Sequence, residues 1–185
     1  MIEIKNLSKA FDKNVIFNGF SLGLPDKGFY ALSGPSGSGK TTLLRMICGL
    51  DTEYSGEINV IGKISYVFQE NRLFPHMTAY ENVFTVCGDK EKSFSLLSAV
   101  GLEDACDKYP SELSGGMNRR VAIARALSYD HDILLLDEPF TALDADIRDK
   151  IISLIKELEK DKLLLIITHD PDEISALGCS EINIK

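Results

Sequence analysis

Between the apolar segment FYALS and the helix-like run TTLLRMICGL, the chain reads Gly34, Pro35, Ser36, Gly37, Ser38, Gly39, Lys40, Thr41, Thr42. Gly34, Gly39, Lys40 and Thr41 fit G-x-x-x-x-G-K-[ST]. In that pattern glycine lets the backbone bend until successive N–H groups, with the positive end of the following helix, point at one anion. Lys40 adds a full charge for terminal phosphates, and the Thr41 hydroxyl is placed to ligate Mg²⁺. A plain glycine turn would share the composition. It would not require a strand before it and a lysine–threonine pair opening the helix after it.

Three more segments end on polar groups that belong to the same chemistry. ILLLDEP is an apolar strand closing on Asp137 and Glu138, where a parallel sheet delivers side chains to a ligand at its carboxyl edge. Asp137 suits a magnesium shell, and Glu138 suits a base that orients and deprotonates water for attack on a γ-phosphate. LLIITHD repeats the design and brings His169 to a strand tip as a γ-phosphate contact. KISYVFQ ends on Gln69, a neutral group able to bind both magnesium and water. A second glycine stretch, ELSGGMNRR, places Ser114, Gly115 and Gly116 at a helix start, offering a hydroxyl, free N–H groups and a helix dipole to another phosphate.

These groups need a sheet to hold them. ILLL, then Ile147, Ile151, Ile152, Leu154, Ile155 and Leu158 at helical spacing, then LLLII, reads as strand, helix, strand, with strands apolar on both faces. That is an α/β pattern with a mostly parallel sheet covered by helices. IEI, VIF, SLGL, EINV and KISYVF are short and turn-bounded, which predicts an antiparallel layer leaning on that sheet. Between about 71 and 110 a helical insert is expected, opened by a Thr78–Glu81 capping box and closed at Gly101.

Composition sets the outer bounds. With 185 residues, 44% hydrophobic and 26% charged, the chain is long enough to bury one sizeable core. A formal charge of −8 argues against a nucleic-acid binder that relies on bulk positive potential. Cys48, Cys87, Cys106 and Cys179 are too dispersed for a zinc site or disulfide framework, so reduced thiols are expected. The longest aliphatic run, residues 163–167, is far short of the roughly 18 residues of a membrane span, so a cytosolic chain is expected and any membrane role needs a partner.

ELSGGMNRRVAIARAL closely resembles the signature of the ATP-binding cassette (ABC) family, and the resemblance covers nearly the whole chain. GPSGSGKT resembles the family's Walker A, Gln69 its Q-loop, residues 113–116 its signature, ILLLDEP its Walker B, residues 141–144 its D-loop and His169 its switch histidine. The resemblance implies a P-loop NTPase fold in one domain, with a helical subdomain over about 71–128. Phe11 falls where the family places an aromatic that stacks on adenine, with Ile16 beside it. It also implies that Ser114, Gly115 and Gly116 serve the nucleotide held by a second copy, so that two chains sandwich two ATP molecules head to tail with Asp144 near the joint. A separate integral membrane permease is the implied partner, docked near FPHMTAYENVF, with an extracytoplasmic substrate-binding protein beyond it and no nucleic acid. The cassette would then sit on the inner face of the membrane.

The ENRLFPHMTAYENV and SGGMNRRVAIARAL phrases are most similar to importer cassettes of the nitrate, sulfonate and taurine type. Met117 stands where glutamine is common, Asp12 where glycine is frequent, and the sequence stops at EINIK, before the regulatory domain of sugar-importer cassettes. The alternatives are an exporter or membrane-remodelling ATPase, a soluble ABC protein, and a simple kinase; the last leaves the signature and D-loop unexplained.

Overall fold

The structure, a computed structural model, describes residues 1–12 and 14–184. Its centre is a five-stranded parallel sheet, in the order β5 (Ile64–Val67), β6 (Ile133–Asp137), β7 (Leu163–Ile167), β3 (Gly28–Ser33), β8 (Ser180–Asn183). In β6 and β7 every residue is buried, and successive side chains feed opposite faces. Leu134, Leu136, Leu164 and Ile166 enter one core, against α4 (Gly115–Ser128) and α5 (Ala145–Glu159). Ile133, Leu135, Leu163, Leu165 and Ile167 enter the other, against α1 (Lys40–Ile47) and the N-terminal layer. Each such side chain contributes about 1.5–3 kcal/mol when fully buried. Sandwiching therefore locks the register, with Leu134 opposite Leu164 and Asp137 opposite Ile167.

The N-terminal layer is antiparallel, in the order β2 (Asn14–Leu24), β1 (Ile2–Phe11), β4 (Ser55–Val60). Two expectations from the sequence are corrected here. VIF and SLGL lie on one irregular strand, β2, whose pairing with β1 shifts register three times. KISYVF does not belong to the antiparallel layer. After only Ile61–Lys63 the chain changes sheets, and Ile64–Val67 pairs in parallel with β6, Ile64 opposite Ile133 and Val67 opposite Leu136. The crossing is pinned where the Lys63 N–H donates to Asp132 Oδ2 (2.7 Å) and the Asp132 N–H donates to Lys63 O (2.9 Å).

The insert is helical as expected. α2 (Ala79–Cys87) starts on a reciprocal capping box, the Glu81 N–H donating to Thr78 Oγ1 (3.2 Å) and the Thr78 N–H to Glu81 Oε2 (2.8 Å). α3 (Lys90–Ala99) follows, capped by Asp89, and both helices pack on α4. Fully buried Asn82 ties down the preceding loop, donating to Phe74 O and Met77 O and accepting from the Phe74 N–H. α6 (Pro171–Leu177) completes the chain of elements before β8. All four cysteines are free thiols, as expected. No helix among the described residues is long and apolar enough to cross a membrane.

Candidate functional site

β3 ends at Ser33 and α1 begins at Lys40, so residues 34–39 turn over the carboxyl edge of the sheet. Gly39 caps α1 with φ +94°, and a Cβ there would run into the Ile16 side chain. No larger residue fits this backbone against β2. Lys40 is 6% exposed and folds over its own loop, Nζ donating to Gly34 O (2.9 Å) and Pro35 O (3.0 Å). The Ser38 hydroxyl is buried with no hydrogen-bond partner among the described residues. A closed ring of backbone carrying an ammonium and an orphaned hydroxyl is a receptacle suited to an anion that supplies the missing oxygen atoms.

β5, β6 and β7 bring their polar ends to the same edge. Thr41 Oγ1 donates to Asp137 Oδ1 (3.2 Å) and the Tyr66 hydroxyl donates to Asp137 Oδ2 (3.2 Å). Burial pushes the Asp137 carboxyl above the ordinary carboxylate range, against the downward pull of those two hydrogen bonds. Burial, then the Asp137 charge, likewise pushes the Tyr66 phenol up, so Tyr66 remains a donor. Glu138 sits at φ +47°, an uncommon backbone region for a non-glycine residue. Its N–H donates to Ile167 O (2.9 Å). Gln69 Nε2 donates to Glu138 Oε2 (3.4 Å), and His169 Nε2 lies 3.7 Å from Glu138 Oε1.

A cleft of about 460 Å³ joins these groups; its wall includes Gly37, Gly39, Lys40, Thr41, Gln69, Glu138 and His169. Phe11 and Ile16 line it as well. The Phe11 ring is 49% exposed, with Lys9 Nζ behind it at 4.7 Å from the ring centre. Lys9 is held there by Asp51 Oδ1 (2.8 Å) and Glu53 O (2.6 Å). A half-exposed aromatic ring lining the same cleft as a lysine and a glycine-rich loop suits a planar base joined to phosphates.

Ser114, Gly115, Gly116 and Asp144 do not line this cleft. Ser114 caps α4 by accepting from the Met117 N–H (3.2 Å), and Asp144 caps α5 by accepting from the Ile147 N–H (3.1 Å). The two caps stand together: a Cβ on Gly116 would lie 2.7 Å from Ala142 O. Among the described residues no group of three or more His, Cys, Asp or Glu side chains is arranged to hold a metal. The oxygens of Thr41, Asp137 and Gln69 are hard donors of the kind Mg²⁺ takes alongside substrate phosphates and water.

Three participants in this arrangement were not foreseen: Tyr66, Arg119 and Glu173. Tyr66, on β5, stands opposite Leu135 of β6, two residues before Asp137. Only the sheet order reveals that neighbour. Arg119 of α4 donates to Phe68 O (2.6 Å) and Gln69 O (2.5 Å). Glu173 is buried and accepts from the Thr168 hydroxyl, beside His169.

Residues 17–141 match the family model described as ABC transporter. The sulfate/thiosulfate import ATP-binding protein CysA of Escherichia coli K12 is 41% identical over 96% of this chain and 55% of its own length. That of Yersinia pestis is 39% identical over 93% and 54%. The chain thus spans about half the length of the curated relatives it matches. Among solved structures, the ATP-binding cassette MJ0796, in a dimeric post-hydrolysis state bound to ADP and Pi, superposes with a TM-score of 0.89 at 31% identity, covering 100% of this chain and 94% of that one. A second dimeric structure of MJ0796, described as a bacterial ABC transporter cassette, gives 0.88 at 30% identity over 99% and 94%. A phosphate loop, three polar strand ends and a helix-capping serine–glycine pair thus occur together on a fold shared with these cassettes, and the chain belongs to the ABC transporter family.

Proposed function

We propose that the chain is the ATP-binding subunit of an importer, hydrolysing Mg-ATP in a head-to-tail pair of copies to drive a separate membrane permease from the inner face of the membrane. It acts as one cassette, residues about 71–128 forming its helical subdomain. Lys40 and the loop of residues 34–42, through the N–H groups that follow Pro35, take the phosphates, and Phe11 and Ile16 take the base. Thr41, Gln69 and Asp137 hold Mg²⁺, which when bound offsets phosphate charge. Glu138 takes a proton from water as its oxygen attacks the γ-phosphorus and the bond to ADP breaks, while His169 contacts the γ-phosphate.

The observation that carries the two-copy reading is the separation of the two phosphate cradles. Lys40, Thr41, Gln69, Glu138 and His169 line the cleft, whereas Ser114, Gly115, Gly116 and Asp144 are not among its lining residues, and Ser114–Gly116 open α4, where free N–H groups suit a second anion. A second copy brings its own Ser114, Gly115 and Gly116 to this cleft. The import direction rests on the likeness to the sulfate/thiosulfate import ATP-binding proteins, the permease and a substrate-binding protein rest on what membership of the family implies, and an exporter is the alternative.

Two substitutions separate binding from chemistry. Lys40→Ala removes a charge that meets phosphate in the ground state, so ATP affinity and ATP-dependent pairing should both fall. Glu138→Gln keeps the shape and removes the base, so turnover should drop about a hundredfold or more while ATP accumulates the dimer. Phosphate release and light scattering with and without Mg-ATP decide it. Wild-type turnover in Glu138→Gln would remove Glu138 as the base, and ATP binding without pairing would overturn the shared site.

A further inference from the structure

Arg119 is 4% exposed and has no carboxylate within salt-bridge distance among the described residues. Burying a guanidinium in that way is costly unless its donors do something an apolar side chain cannot. Both of its terminal nitrogens donate to consecutive carbonyls, Phe68 O at 2.6 Å and Gln69 O at 2.5 Å. These are the carbonyls just beyond the last pair of the β5 ladder, Val67 with Leu136, where no strand partner satisfies them. A planar fork fixes two consecutive carbonyls at once, which a point charge on a flexible stem does not. The Gln69 side chain then reaches Glu138, 3.4 Å away. Burial lowers the Arg119 pKa while the charges of Asp137 and Glu138 raise it, so the guanidinium also lies in the field of the site's carboxylates.

The other end of this contact is the signature helix. Arg119 lies just over one turn from the Ser114 cap of α4, and Arg125, farther along the same helix, donates to Asn71 O (3.3 Å). Arg120 meanwhile holds Val100 O (2.9 Å) and Gly101 O (2.7 Å) at the end of α3. We infer that Arg119 is a positioning residue: it makes the main chain at Gln69 move with the start of α4 and thereby sets the Gln69 side chain against Glu138. This rests on the assignment of Gln69 and Glu138 to ATP hydrolysis.

The test uses Arg119→Gln and Arg119→Lys in the full chain. Expected are ATP affinity within about twofold of wild type when Mg²⁺ is withheld, kcat lower by tenfold or more with KM within about threefold, and amide exchange over residues 69–73 at least tenfold faster. Lysine should not restore either effect, because it cannot span both carbonyls. Wild-type exchange over 69–73 overturns the inference whatever happens to kcat. So does a loss of ATP affinity, kcat and thermal stability together, which would make Arg119 a packing residue only. Should the wild-type chain fail to hydrolyse ATP, the proposed function fails, and the exchange comparison still decides whether Arg119 holds Gln69.

Discussion

At the opposite end of β6 from the cleft, His131 and Glu159 form a buried pair whose side chains are 0% and 1% exposed. The His131 Nε2 lies 2.9 Å from Glu159 Oε2, and Nδ1 lies 2.7 Å from Tyr129 O. Removing the imidazole leaves a carboxylate in the core with only Lys162 Nζ, at 3.3 Å and itself 31% exposed, as partner. Loss of one member of a buried pair costs about 3–5 kcal/mol; with Lys162 retained, about 3 kcal/mol is expected for His131→Ala. For a chain of this size that is a fall in Tm of about 6–12 °C. Glu159→Gln keeps the shape and the hydrogen bonds and should cost only about 1 kcal/mol at neutral pH.

Acid gives an independent check. Burial raises the Glu159 carboxyl, but the hydrogen bond and charge from His131, with help from Lys162, outweigh it and hold the group below its ordinary value of 4.5. A depressed folded pKa contributes stability that is complete above 4.5 and is lost as the pH falls through the folded value. The stability gap between wild type and Glu159→Gln should therefore close on acidification below 4.5. Urea melts across pH, with ATP affinity as a control that stays unchanged at pH 7, measure all of this. A His131→Ala chain melting within about 2 °C of wild type would refute the pairing energetics.

Two further substitutions probe the cleft and its second cradle. Phe11→Ala removes the half-exposed aromatic ring and should weaken ATP binding by about 1 kcal/mol, roughly fivefold in Kd, in a titration with a fluorescent ATP analogue; unchanged affinity would make the ring a packing group. Gly116→Ala puts a Cβ 2.7 Å from Ala142 O and should separate the α4 and α5 caps at a cost of about 1–3 kcal/mol. In the Glu138→Gln background this should weaken ATP-dependent pairing tenfold or more by light scattering, leaving affinity for ATP without Mg²⁺ intact.

What the sequence made legible was whatever is local. The phosphate loop, the Thr78–Glu81 cap and the polar residues at the ends of β6 and β7 are each written within a dozen residues, and the structure forms the Thr78–Glu81 cap as its spacing predicts. Sheet membership is not local. Ile64–Val67 alternates buried and half-buried because it is an edge strand, a pattern equally natural in an antiparallel layer, and its three-residue connection to β4 looks like a hairpin. β2 read as two pieces because its irregular pairing interrupts the alternation. Tyr66 and Arg119 escaped notice for a related reason: their partners, Asp137 and Gln69, are distant in sequence and meet them only once β5 is seated beside β6 and under α4.

The placement of β3 bears on how the chain comes off the ribosome. The strand that carries the phosphate loop pairs on one side with β7 and on the other with β8, both of them more than a hundred residues later in the sequence. The Ile184 N–H donates to Ser33 O (2.8 Å), and the Ile184 carbonyl lies against Gly34. A growing chain therefore completes its Lys40 motif early but cannot hold it in shape until residues 163–184 have emerged, however much of the helical insert has already formed. Such long-range pairing is slow to form. A ligand that needs this loop held in shape would stabilise chains in which residues 163–184 have docked and give nothing to shorter ones.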